Sequence, residues 1–192
     1  MNIFVLDECP KKSASMMFDK HIVKMPLESG QMTSTVIRKK YGVLGKTKYF
    51  DKHGNIKYKK RLLMTSLGET DGMWDKDRFE TLYWDCHHKH PCTLWVGESK
   101  ANWDWLTTHA IALSHEYTCR YKKVHATLKV IEWCKNYPIS FQKKELTTFA
   151  LAMPNQYKKE SAVDSYREYY KKDKSDIAVW RYSNPPTWWR VL

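Results

Sequence analysis

The sequence predicts a mainly α-helical fold in one compact domain, residues 1–192, with a short basic β-hairpin as an insertion. Three observations lead to this prediction. Side chains recur at helical spacing in several segments, which is typical of helices packed on a core. Two basic segments of alternating character flank a turn at His53-Gly54-Asn55. The chain has 192 residues, 42% of them hydrophobic, which suits a single core.

The first predicted helix runs from Phe18 to Gln31. Within it, His21, Lys24, Glu28 and Gln31 recur at i, i+3, i+7 and i+10. This spacing places an imidazole, an ammonium, a carboxylate and an amide along one stripe of the helix. Such a polar stripe either faces water or lines a cleft in which chemistry takes place.

Glu28 is the best candidate for a catalytic carboxylate in this helix. A lone glutamate on a helix is usually a surface residue, but His21 and Lys24 share its stripe and either can tune its ionisation. Pro26 removes a backbone donor and Gly30 is a poor helix former, so we expect the helix to bend beside Glu28. These features favour a site over a solvated face.

Residues 38–88 form the predicted basic and loop insertion. Ten basic residues and one acid, Asp51, lie between Arg38 and Arg61, and they supply +9 of the net charge of +12. Residues 48–59 are predicted to form a hairpin. A hairpin with aromatic residues between lysines suits contact with nucleic acid, and the alternative is a solvated surface hairpin. Residues 65–92 are predicted to be loop with short helical pieces.

Three further helices are predicted in the second half of the chain. Ser99 can cap a helix whose inner face carries Asn102, Trp105, Leu106, His109, Leu113 and Tyr117. Another helix spans about Thr127–Asn136, and Ser161 with Asp164 has the spacing of a capping box. The tail from Pro185 to Trp189 cannot continue a helix.

Composition limits the class of protein. The chain has no run of 18 apolar residues and no secretory leader, so we expect a soluble intracellular, cytoplasmic protein with no membrane partner. Five cysteines fit reduced thiols, and Cys119 and Cys134 are expected to pack as small hydrophobic groups. The net charge of +12 favours a polyanionic partner, chiefly nucleic acid.

We predict no cofactor and no metal. The sequence has no glycine-rich phosphate loop, nucleophile elbow or paired aspartate cluster. The segment Cys86-His87-His88-Lys89-His90-Pro91-Cys92 is the obvious metal candidate, but its spacing does not match zinc-binding patterns. A turn at His90-Pro91, with His88 or His90 at the edge of a cleft, is the preferred interpretation.

Three segments together resemble the endonuclease V family of phage pyrimidine-dimer DNA glycosylases. The first is Asp19-Lys20-His21 followed by Glu28, similar to the family's histidine and catalytic glutamate. The second runs from His90 to Arg120 and is similar to the family's second helix. The third, Pro186-Thr187-Trp188, resembles an element that lies beside the lesion. The pattern around residues 19–28 also resembles tailed-phage proteins.

The resemblance implies an all-α enzyme that kinks duplex DNA, flips a base and acts as a monomer. The α-amine of the chain would attack the sugar C1′ and form an imine, while Glu28 moves protons and assists β-elimination. An α-amine is neutral, and so nucleophilic, at a lower pH than a lysine amine, which makes this chemistry reasonable near pH 7. His21 would orient Glu28.

Two departures from the family pattern assign further residues. The family exposes a small residue after removal of methionine, whereas Asn2 is large, so we expect Met1 to be retained. Either the Met1 amine then serves as the nucleophile or the lyase step is absent. The positions of the family's arginines hold Leu27 and Gln31, so Lys24 and Arg38 take over the contact with DNA. The implied nucleic-acid-binding residues are Asn2, Lys24, Gln31, Arg38, His90, Lys100 and Trp188; the implied catalytic residues are Glu28, His21 and Met1.

The sequence therefore favours a DNA glycosylase, with or without AP-lyase activity, that excises damaged or modified pyrimidines. Two alternatives remain open. One is a non-catalytic phage protein that binds nucleic acid, whose binding would tolerate loss of Glu28. The other is a transferase or hydrolase that modifies nucleotides or bases in the same cleft.

Overall fold

The computed structural model describes residues 1–71 and 82–189, and this part of the chain is mainly α-helical with one two-stranded hairpin, as predicted. The prediction of fold class is confirmed. The helices are α1 (Pro10–Ser15), α2 (Asp19–Tyr41), α3 (Pro91–Glu98), α4 (Lys100–Tyr121), α5 (Leu128–Asn136) and α6 (Ala162–Asp173), and the strands are β1 (Val43–Phe50) and β2 (Ile56–Leu63).

The N-terminal segment passes through the core. Residues 3–6 are buried, and they share one hydrophobic cluster with side chains of all six helices named above. The Ser13 hydroxyl on α1 donates to the Phe4 carbonyl at 3.1 Å and accepts from the Leu6 N–H at 3.0 Å. Burial and these bonds hold the start of the chain in a fixed place beside α2.

Helix α2 is the central element and packs against α3, α4 and α5. It is longer than predicted, because it continues from Gln31 to Tyr41. Both Pro26 and Gly30 lie within this one helix. A Cβ added to Gly30 would lie 2.5 Å from the Thr127 Cγ2 atom, so the glycine permits close approach of neighbouring residues.

The predicted hairpin is present and is longer than expected. Strands β1 and β2 pair antiparallel from Val43 opposite Leu63 to Phe50 opposite Ile56. In the connecting loop, Asp51 Oδ1 accepts from the N–H groups of His53 and Asn55. Gly54 has a φ of +82°, a conformation that favours glycine over residues with a side chain.

The predicted helix starts in the second half of the chain are confirmed. Ser99 Oγ accepts from the Asn102 N–H at 3.1 Å, and Ser161 Oγ accepts from the Asp164 N–H at 3.2 Å. All five cysteines are free thiols, and Cys134 is buried as expected. The expectation for Cys119 is wrong, because it lies on an exposed side of α4.

The predicted loop of residues 65–92 is described in part. It carries the 3-10 helix Thr65–Leu67 and the start of α3, whereas residues 72–81 lie outside the described residues. Among the helices of the described ranges, none is long and apolar enough to cross a membrane.

Two histidines are buried in the core as neutral groups. His109 is 1% exposed and stacks on Trp105 with 4.8 Å between ring centroids. Within the described part of the chain, neither of its ring nitrogens has a hydrogen-bond partner. Burial lowers the pKa of His109 to about 3. Burial, with added repulsion from Lys24 and Lys174, lowers the pKa of His21 to about 3 as well.

Acidification is expected to destabilise the fold through these two histidines. Between the ordinary pKa of 6.5 and the folded-state pKa of about 3, the unfolded chain binds protons that the folded chain excludes. Each histidine therefore lowers the free energy of unfolding by about 1.4 kcal/mol per pH unit as the pH falls through this window. Urea unfolding at pH 7, 6 and 5 measures the slope.

His109→Phe keeps the stacking on Trp105 and removes one titrating group, so it is expected to reduce this slope by about half. His115→Gln, at an exposed position on the same helix, is the matched control and should leave the slope unchanged. An unchanged slope in His109→Phe would show that His109 is not the neutral buried group described above.

Candidate active site

The carboxylate of Glu28 lies next to the first two residues of the chain. Glu28 is buried on α2, and its Oε2 atom accepts a hydrogen bond from the Asn2 N–H at 3.0 Å. The same Oε2 atom is 3.8 Å from the α-amine nitrogen of Met1. The Oε1 atom pairs with the Lys24 ammonium at 2.9 Å, one helical turn earlier. Three positively polarised groups thus converge on one buried carboxylate.

The Asn2 side chain fixes the position of the amine. Its Oδ1 atom accepts from the N–H groups of Ile3 and Phe4, and its Nδ2 atom donates to the Ala152 carbonyl at 2.8 Å. Phe4 has a φ of +41°, an uncommon conformation for a residue with a side chain. These bonds fix the backbone path of the first four residues, so the amine is held in one orientation.

Met1 points its side chain inward and leaves its backbone accessible. The side chain is 2% exposed, and its sulfur accepts a hydrogen bond from the Thr93 hydroxyl at 3.6 Å. The residue as a whole is half-buried, so its exposed surface belongs to the backbone, which carries the α-amine. An amine held against a carboxylate and open to solvent on one side can react with a ligand.

Two residues of α3 complete the surroundings of the amine. His90 caps α3 by accepting the Cys92 N–H on Nδ1 at 3.2 Å. Burial, and then the positive charge of the α-amine, lower the pKa of His90, so its ring is neutral near pH 7. Burial raises the pKa of the Cys92 thiol to about 12, which keeps it protonated and excludes it as a thiolate nucleophile. With the thiol excluded, the α-amine of Met1 and the amine of Lys24 are the nucleophilic groups that this cluster offers.

His21 does not lie with Glu28, and the expectation that it orients this carboxylate is not supported by its contacts. Its ring packs between Phe4 and Phe18 with centroid distances of 4.3 and 4.0 Å. Its Nδ1 atom is 2.5 Å from the Tyr170 hydroxyl. His21 therefore contacts α6 and is a buried core residue.

The structure places Arg38 in the protein interior, so the prediction that it contacts DNA is wrong. It is 1% exposed and pairs with Glu69 at 2.7 and 2.9 Å. It also donates to the carbonyls of Tyr83 and Leu62, and it stacks on Trp84 at 4.4 Å. A guanidinium with these partners cannot reach a phosphate.

The remaining predicted DNA-binding residues are spread over the surface. Lys24 is 64% exposed beside Glu28, and Gln31 is half-buried one turn further along α2. Lys100 pairs with Asp104 at 2.6 Å on α4. Trp188 donates to the Met16 sulfur at 3.3 Å, packs under Arg167 and lies against Tyr170, the residue that contacts the His21 ring. The structure brings together Met1, Asn2, Lys24, Glu28 and His90.

Sequence analysis missed one contribution to this site and one ion pair that supports the fold. Thr93 secures the Met1 side chain, and no spacing rule points to it. Asp19, which belongs to the first of the three segments that resemble the glycosylase family, pairs with the buried Arg120 at 3.1 Å. It also accepts a hydrogen bond from the Arg181 N–H at 2.8 Å. This pair ties α2, α4 and the tail together, so the resemblance at Asp19 and Arg120 carries a structural role.

The cysteine- and histidine-rich segment has no metal-binding arrangement. His88 pairs with Asp85 at 2.8 Å, and Cys86 donates its N–H to Thr35. In the described ranges, no group of three or more histidine, cysteine, aspartate or glutamate side chains is placed to hold a metal ion. Comparison with known proteins finds no matching family model, no matching curated protein and no matching solved structure.

Proposed function

We propose that this protein is a DNA glycosylase that excises damaged or modified pyrimidines and uses the α-amine of Met1 as its nucleophile. The observation that carries the proposal is the distance of 3.8 Å between the Met1 nitrogen and Glu28 Oε2. An amine nucleophile with an adjacent carboxylate is the pair that imine-forming excision requires. Nothing in this pair calls for a cofactor.

In the proposed reaction, the neutral amine attacks C1′ of the target nucleotide. The bond from C1′ to the base breaks, and the base leaves with the electron pair and takes up a proton from solvent water. The amine passes a proton to Glu28, which returns it to the ring oxygen as the sugar opens. A protonated imine then joins the Met1 nitrogen to C1′. For lyase activity, removal of a C2′ proton by Glu28 expels the 3′ phosphate.

The charge distribution supports DNA as the partner. The net charge is +12, and residues 39–61, which begin in the last turn of the helix that carries Glu28, hold nine basic residues and one acid. Counterion release from phosphates favours binding to such a surface. The proposed partner is duplex DNA with a flipped base, bound by a monomer in the cytoplasm.

Borohydride trapping tests the proposal. Reduction of the imine should leave a covalent adduct between lesion-containing DNA and the Met1 nitrogen, located by mass spectrometry of the N-terminal peptide. One glycine added before Met1 displaces the amine by about 3.8 Å and should abolish the adduct. Lys24→Gln removes the other nearby amine and should leave the adduct in place.

Base release on the same panel of damaged and modified pyrimidines is measured in parallel. Release that depends on the free Met1 amine supports the proposal. Tight DNA binding with neither release nor an adduct would contradict it and favour a non-catalytic DNA-binding protein. Modification of free nucleotides, independent of duplex length, would favour a nucleotide-modifying enzyme.

A further inference from the structure

The hairpin has a face formed by three lysines and three large apolar or aromatic residues. Residues directly opposite each other in an antiparallel pair share a face. The register places Lys46 opposite Lys60, Lys48 opposite Tyr58, and Phe50 opposite Ile56, and these pairs alternate with the pairs of the other face. We name these six residues the lysine face. Five of them are exposed and Lys48 is half-exposed.

The base of the hairpin is firmly attached to α2. Arg38 on α2 donates to the Leu62 carbonyl at 2.7 Å, and Asp85 accepts the Leu62 N–H at 3.2 Å. On the face opposite the lysine face, Leu63 and Thr47 near the base are buried, whereas Tyr49, Lys57 and Lys59 near the turn are exposed. The base of the hairpin is therefore set against the protein and holds the lysine face in a fixed direction.

The lysine face carries positive charge that the hairpin does not neutralise. Lys46 and Lys60 are directly opposite each other, and like charges so placed destabilise a sheet. Asp71 accepts the Lys46 backbone N–H at 2.7 Å, so one carboxylate lies at this pair, and the three lysines of the face outnumber it. Asp51 is the one acid in residues 43–63, which hold seven basic residues. Its carboxylate accepts hydrogen bonds within the loop. A polyanion complements such a surface.

The spacing of the lysines suits a nucleic-acid backbone. Residues two apart on one face of a strand are separated by about 6.8 Å, so Lys46 and Lys48 span two base-pair steps of duplex DNA at about 3.4 Å each. The exposed rings of Phe50 and Tyr58 lie among the lysines and can rest against sugars.

The C-terminal half of α2 leads from the amine to the hairpin. Tyr41 at the end of α2 is thirteen residues beyond Glu28, which is about 20 Å along the helix. Beside this half of α2 lies a cleft of about 270 Å³, and its lining includes two lysines and Thr93, the residue that contacts Met1; the lining residues are Val36, Lys39, Lys40, Thr93, Leu94 and Gly97. A duplex with its target nucleotide at Met1 would run along this side of α2 toward the hairpin.

We propose that the lysine face binds the backbone of duplex DNA on one side of the target nucleotide, beginning about 20 Å from it. The position of the target nucleotide in this inference rests on the proposed function. Binding of the hairpin to duplex DNA does not require that excision takes place. The contact makes the requirement for flanking duplex unequal on the two sides of the target.

The first test measures binding to an undamaged duplex across a range of salt. The triple variant Lys46→Gln, Lys48→Gln, Lys60→Gln should lower the slope of log affinity against log salt by about 2 to 3, since each lost phosphate contact contributes about 0.9. The control replaces three exposed lysines of other elements, Lys12, Lys123 and Lys158, with glutamine and removes the same charge.

An equal change of slope in both triple variants would overturn the inference, because it would indicate general charge attraction. Equal competition by a single strand or by a folded RNA of the same length would also overturn it. Circular dichroism confirms that both variants are folded; five of the six replaced side chains are exposed and Lys48 is partly exposed.

The second test uses lesion duplexes shortened from one end at a time. Excision by the wild-type protein should fall steeply on shortening one side and little on the other, and the hairpin variant should lose this asymmetry. If no lesion is excised, the proposed function fails while the salt test still decides the inference. Normal excision with equal length requirements on both sides contradicts the inference alone.

Discussion

Glu28→Gln is expected to lower the single-turnover rate of base excision by about 10²–10⁴-fold, the range that general acid–base groups contribute. Glutamine keeps an oxygen that can accept the Asn2 N–H, so the first residues should hold their place. It can neither take a proton from the Met1 amine nor return one to the sugar oxygen. Rates are measured by release of the base from end-labelled lesion DNA.

Two controls separate chemistry from charge and from binding. Glu132→Gln makes the same charge change at an exposed position on α5 and should excise at the wild-type rate. DNA affinity of Glu28→Gln should stay within a few-fold of wild type, since the replaced carboxylate repels phosphate. Excision by Glu28→Gln at the normal rate would remove Glu28 from the proposed mechanism.

Much of the fold could be predicted because its signals are local. A serine three residues before a free N–H marks the starts of α4 and α6, and the His-Gly-Asn turn marks the hairpin. Helix α1 was missed, since it has six residues and is supported by the Ser13 bonds to the N-terminal segment. The extension of α2 to Tyr41 depends on burial of Val36 and Ile37, which spacing alone does not reveal.

In the candidate site, too, the contacts between residues distant in sequence could not be predicted. Met1 and Glu28 were identified by the resemblance of a motif, and the structure places them together. His21 shares the stripe of Glu28, but it lies two helical turns, about 10 Å, earlier along the axis and therefore meets a different neighbour, Tyr170. Arg38 is assigned to DNA because Leu27 and Gln31 stand at the positions of the family's arginines. Its partner Glu69 is 31 residues away, beyond the reach of any local pattern.

Arg38→Met is expected to destabilise the protein by about 3–5 kcal/mol, the cost of leaving the charge of one partner of a buried ion pair uncompensated. Glu69 would still accept the hydrogen bond from the Met64 N–H, but it would lose the guanidinium that neutralises its charge. Water cannot replace that partner readily, because Glu69 is only 4% exposed. The carbonyls of Leu62 and Tyr83 would also lose a donor. Urea unfolding measures the loss, which is a large part of the stability of a typical domain.

A double-mutant cycle shows whether the pair is the cause. Glu69→Gln is neutral and can still accept the Met64 N–H, so adding it to Arg38→Met should recover part of the loss. Lys39→Met removes the same charge at an exposed neighbour and should change stability by less than about 0.5 kcal/mol. If Arg38→Met were as mild as Lys39→Met, Arg38 would not be the buried attachment of the hairpin to α2.

The same variant separates a structural arginine from a DNA-binding one. At a temperature where Arg38→Met remains folded, its buried position predicts an unchanged salt slope for DNA binding, whereas a lost phosphate contact would reduce the slope by about 0.9. Loosening the base of the hairpin should instead weaken binding at every salt concentration by a similar factor, because the lysine face is then less well oriented. Affinity lost without a change of slope therefore indicates that Arg38 acts on DNA through the hairpin.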